Sequence, residues 1–168
     1  MSTERRHPNV INADEIEPTE CRQGKFHVKS RPLARHAGNQ QLGAQLLELA
    51  PGERAFPLHY HCANEEACYV LSGRGTARIG ECRVPIRAGD WIAYPIGPEH
   101  AQKLVNDGDE PLVYLCLSTK HKCEIVGYPD SNKVGVVAGP SFENPWIREI
   151  HRLGESLPYY EGEPDAQE

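Results

Sequence analysis

A chain of 168 residues, 39% hydrophobic and 25% charged, is long enough for one domain with a single substantial core. A formal net charge of −6 disfavours nonspecific attraction to DNA, RNA or anionic lipid, so no nucleic-acid or membrane partner is expected. No apolar run approaches the roughly 20 residues that span a bilayer, and the polar N-terminus lacks the apolar core of a secretory signal, so a cytoplasmic location is expected.

Residues 1–30 are rich in charge and turn formers without sustained periodicity. They read as an irregular arm with a short helix near Ala13 to Ile16, too short to hold a DNA-binding unit. Leu42 to Ala50 has strand length and ends at the turn Pro51-Gly52. Short strands then alternate with Gly-, Pro- and Asn-rich turns: Glu66 to Leu71, Thr76 to Ile79, Cys82 to Arg87, Trp91 to Tyr94, His100 to Val105, and Leu112 to Leu117. This rhythm predicts an all-β sandwich or barrel. With 15 Gly and 14 Pro, long helices have little room. Both parities of Leu112–Leu117 are apolar, as for a strand covered on both faces, whereas Thr76–Ile79 alternates and should meet water on one side. A turn at Tyr128-Pro-Asp-Ser-Asn132 precedes a last short strand near Val134–Val137. The acidic, aromatic C-terminus around Tyr159-Tyr160 needs a surface on which to dock. The chain thus divides into an N-terminal arm (1–30), a barrel (31–139) and a C-terminal tail (140–168).

Six cysteines at irregular intervals, with no Cys-x-x-Cys pair, read as free thiols in a reducing compartment. Cys62 and Cys68 stand apart because they flank Glu65-Glu66, and Cys68 shares the strand parity of Glu66.

His59, His61, Glu66 and His100 carry the chemistry. A His-x-His pair shares a face only on extended backbone, because strand side chains alternate with period two. On a helix the two would diverge by about 200°. Three imidazoles and one carboxylate make a complete set of donors for a divalent transition metal: Zn, Fe, Mn, Ni or Cu fit, and Ca²⁺ and Mg²⁺ fit poorly.

The surrounding residues resemble the two motifs of the cupin superfamily. The first is Gly52-Glu-Arg-Ala-Phe-Pro-Leu-His59-Tyr-His61-Cys-Ala-Asn-Glu65-Glu66, followed by Gly73. The second has Gly89, Pro95, Gly97 and His100 in register. Six residues rather than five separate Gly52 from His59, and the second motif's Asn falls on Leu104, with Asn106 two residues later. The resemblance implies an all-β double-stranded β-helix, or jelly-roll barrel, binding one metal per chain. Glu66 is preferred over Glu65 as the carboxylate ligand because only Glu66 leaves six residues before Gly73. Parity agrees, turning Glu66, Cys68 and Val70 inward and Tyr69 outward.

Fold does not choose a reaction. The resemblance implies a metal-dependent enzyme of oxygenase, decarboxylase, lyase or isomerase type acting on a small organic molecule. The alternative is a noncatalytic ligand-binding or accessory protein. Gln102 and Tyr94 are the candidate substrate-contacting residues inside the barrel. No inward basic residue is assignable, which disfavours a multiply anionic substrate such as a phosphosugar. A homodimer is expected, built from the terminal segments.

Overall fold

The computed structural model describes residues 7–166. Its strands are β1 (Thr19–Gln23), β2 (Phe26–Arg31), β3 (Leu42–Leu49), β4 (Tyr60–His61), β5 (Glu66–Ser72), β6 (Arg74–Ile79), β7 (Cys82–Arg87), β8 (Trp91–Tyr94), β9 (Gln102–Val105), β10 (Leu112–Thr119), β11 (Cys123–Tyr128), β12 (Lys133–Ala138) and β13 (Ile147–Arg152). One short helix, α1 (Leu33–His36), links β2 to β3. The strands form a six-stranded sheet in the order β1-β2-β3-β10-β5-β8, a four-stranded sheet β13-β12-β11-β4, and a three-stranded sheet β7-β6-β9. An isolated bridge between His59 and Gln102 ties the end of β9 to the segment entering β4.

Period-two alternation places the core. On β10, Leu112 and Tyr114 point inward and pair with Leu49 and Leu47 of β3, while Tyr114 also faces Val70 of β5. Further along the same inward rows the residues turn polar. Cys116 lies beside Gln45 and Cys68, and Glu66 pairs with Tyr94. One end of the barrel is therefore packed with Leu, Val and Tyr, and the other opens into a polar-rimmed chamber. Parity on β5 is as expected: Cys68 and Val70 are buried and Tyr69 is exposed. No position from Leu112 to Ser118 is exposed, as expected for a central strand.

Several elements differ from the sequence reading. The arm expected to be irregular contains β1 and part of β2, which extend the six-stranded sheet from its edge. Every residue of β1 is exposed, so the strand carries no apolar stripe to betray it. The expected short helix is a 3-10 turn, Ala13–Glu15, capped by the Asn12 side chain accepting from the Asp14 amide at 3.0 Å. The tail contains β13, an edge strand exposed at every position. In the second motif the strand begins at Gln102 rather than at His100.

Candidate metal centre

His61 lies on β4, a strand of two residues held by β11 through the pairs His61–Val126 and Tyr60–Gly127. The Tyr60 ring packs against Gly127, where a Cβ would stand 2.2 Å from two of the ring carbons. Only glycine permits that approach. His59 precedes β4 and exchanges backbone hydrogen bonds with Gln102, at 2.7 and 3.2 Å. Glu66 opens β5 in the opposite sheet. One ligand-bearing segment therefore crosses from one side of the barrel to the other through the loop Cys62–Glu65.

Ligand atoms of His59, His61 and Glu66 all lie within 4.8 Å of one another. The Nδ1–H of His59 donates to the Pro57 carbonyl at 2.9 Å, leaving Nε2 without a proton and available as a donor to a metal. Burial holds the His59 imidazole below its ordinary pKa, favouring the neutral form that binds metals. His61 Nε2 stands 3.5 Å from Glu66 Oε1, and its Nδ1 stands 3.5 Å from Glu124 Oε2. Both ring nitrogens are buried without a hydrogen-bond partner. Burial alone would lower the His61 pKa, but the carboxylates of Glu124 and Glu66 outweigh it and raise the value to about 9. Buried polar nitrogens without partners are rare, and a ring carrying two of them between two carboxylates suits a site that takes a cation. The donor set of imidazoles and carboxylate fits a divalent transition metal.

Glu65 is exposed and its backbone amide donates to Thr119 Oγ1, so Glu66 is the carboxylate that reaches the group. Gln102, 5% exposed, donates from Nε2 to Glu66 Oε2 at 2.5 Å. Tyr94 sits beside Glu66 with its hydroxyl buried and unpartnered, and burial pushes its pKa well up, keeping it a neutral donor. The structure does not bring His100 to this group. It ends the 3-10 turn Pro98–His100, with Nε2 3.7 Å from its neighbour Glu99. Cys68 is buried on the chamber wall and Cys62 is exposed, so only the first has the inward position its parity suggested.

Two residues escaped the sequence reading. Glu124, on β11, is 2% exposed, and its carboxylate accepts from the backbone amides of Cys62, Ala63 and Asn64 at 3.0, 3.1 and 2.6 Å. It thereby fixes the loop between His61 and Glu66 while facing the His61 ring. Burial raises the Glu124 pKa, but His61 and those amides bring it below the ordinary carboxylate value. The available signal was a lone carboxylate within Cys123-Glu-Ile-Val. The second is Arg148 on β13, which lines the chamber and stacks 4.5 Å over the Phe142 ring. Lys103 also reaches the wall. Arg148 lies beyond the motifs and Lys103 within the second, and together they supply basic groups that could not be assigned from sequence.

The chamber has a volume of about 380 Å³, within the range of small-molecule sites, and its surface is mainly apolar. Among the described residues no helix is long and apolar enough to cross a membrane.

Comparison with known proteins agrees with this architecture. The family model described as "Cupin domain" matches residues 45–118. Polyketide synthase CurC of Streptomyces cyaneus is 30% identical over 111 residues, covering 66% of this chain and 70% of its own. A crystal structure of a predicted oxalate decarboxylase from Thermotoga maritima superposes with a TM-score of 0.58 at 28% identity, over 66% of this chain and 97% of that one. A cupin-superfamily structure described as a sugar phosphate isomerase, from Silicibacter pomeroyi, gives 0.75 at 23% identity over 89% of this chain and 97% of that one. The last likeness is one of fold, and it extends beyond the motif region into the flanking strands. With the barrel, both motif segments and these relatives in agreement, the chain belongs to the cupin superfamily.

Proposed function

We propose that this protein is a metal-dependent enzyme acting on a small organic molecule inside the barrel, with one divalent transition metal (Zn, Fe, Mn, Ni or Cu) per chain. The observation that carries this reading is the His61 ring, buried with both nitrogens unpartnered between Glu66 and Glu124 and beside His59. His59, His61 and Glu66 hold the metal, which would supply Lewis-acid or redox chemistry when bound. The rest of the work falls to this chain's own side chains. Tyr94 offers a neutral hydroxyl to substrate, and Gln102 fixes the carboxylate. The mainly apolar wall suits the carbon skeleton of an organic substrate. Lys103 on the wall is paired with Asp130, whereas Arg148 forms no ion pair among the described residues and gives the mouth an unpaired cationic contact, suited to a mono-anionic substrate. The relatives carry names from different reaction types, so no substrate is transferred from them.

The chain works as a homodimer. Trp146 and Tyr159 are 82% and 88% exposed, and with Ile147 and Leu157 they leave an apolar strip along β13 and the tail that a second copy would cover.

Metal analysis of purified variants tests the centre. His61→Ala should lose most of its bound metal and His121→Ala should lose none. Equal retention by both would sink the assignment. Loaded wild-type protein should turn over a compound in a broad screen. A ligand that binds unchanged, raising Tm by mass action without turnover under any metal, points instead to a noncatalytic binding protein.

A further inference from the structure

The segment Gly97-Pro-Glu-His-Ala-Gln102 carries two side chains, His100 and Gln102, that counting along a strand would place on one inward face. The structure separates them. Gly97 has a φ of 118°, and Pro98–His100 forms one 3-10 turn, with the His100 amide donating to Gly97 O at 3.1 Å and the Ala101 amide to Pro98 O at 3.2 Å. The turn is pinned from outside. Gly80 donates its amide to Ala101 O at 2.7 Å, and a Cβ at Gly80 would stand 2.5 Å from the Glu99 carbonyl oxygen. His100 is left with a side chain 34% exposed, outside the walls of the chamber.

Gln102 takes the inward place. It starts β9 opposite His59, is buried, and donates its amide to Glu66 Oε2. The same two-residue offset continues downstream. Leu104 is a core residue, and Asn106, fully buried, donates to Leu49 O and Glu110 O at 2.8 Å each while accepting from the Gly108 amide. The inserted turn has moved the motif's two polar positions from 100 and 104 to 102 and 106.

We infer that the metal centre is built by two imidazoles and one carboxylate, with Gln102 in the fourth place as a positioning residue for Glu66 and His100 outside the centre. Because Gln102 occupies Oε2, Oε1 is the oxygen of Glu66 left to face His61. Two histidines and one carboxylate are the donor set shared by non-haem Fe(II) centres and His₂Glu zinc sites. This inference rests on the metal reading above, and its test separates the two.

X-ray absorption on full-length protein loaded with Zn(II) counts the imidazoles bound to the metal. Wild type and His100→Ala should both show two, with zinc affinities within about twofold of each other. Gln102→His should show three. Gln102→Ala should keep two imidazoles and bind zinc about tenfold more weakly, as expected when a group orienting a ligand is removed. Three imidazoles in wild type, falling to two in His100→Ala, overturns the inference and leaves the metal centre standing. Zinc uptake that survives His61→Ala, or no uptake by wild type, overturns the centre itself and this inference with it. The His100→Ala arm decides the matter even where Gln102→His fails to fold.

Discussion

Glu124 shows how one side chain can hold a site it does not belong to. Its two oxygens accept from three consecutive amides of the loop joining His61 to Glu66, and from the Ile125 amide at 2.9 Å. Buried amides that lose their acceptor cost about 1–3 kcal/mol each. Glu124→Ala should therefore destabilise the fold by about 3 kcal/mol, lowering Tm by roughly 10 °C in a thermal melt. It should also weaken metal binding by about tenfold, because the His61 ring loses the carboxylate behind it. Glu124→Gln keeps one acceptor oxygen and should fall between the two in both measurements. A full wild-type metal affinity in Glu124→Ala would show that the loop holds its shape unaided.

At the scale of elements, β4 is the weak member, two residues long and paired on one side by β11. Its position depends on the contact between Tyr60 and Gly127. Gly127→Ala should displace the Tyr60 ring and with it His61. The expected result is loss of metal affinity larger than the accompanying loss of thermal stability, measured by metal titration and melting on the same sample. Unchanged affinity would mean that β11 does not place His61. The elements also explain what could be read from sequence and what could not. His59, His61 and Glu66 were legible because they are close in the chain and obey strand parity. The place of His100 was not, because parity counting assumes continuous strand and the 3-10 turn at Pro98 breaks the phase. β1 and β13 left no trace because edge strands that bury neither face carry no alternating pattern. Glu124 was hidden for a different reason: its partners lie about sixty residues away, and nothing local announces them.

For the whole molecule, the apolar strip on β13 and the tail bears on assembly. Light scattering at working concentration should return twice the 18.8 kDa chain mass, and a monomeric mass removes the proposed dimer. The chamber wall formed by β12 and β13 would then be braced from outside by the partner. The crossing of one short segment between two sheets has a consequence of another kind. His59, His61 and Glu66 fall within eight consecutive residues, so a cation they hold closes a very small loop of chain. Its escape would need that segment to part from Gln102 and Glu124, a local opening short of unfolding the barrel. A metal held there as proposed would therefore be a detachable fitting, emptied and refilled within the lifetime of a single folded molecule.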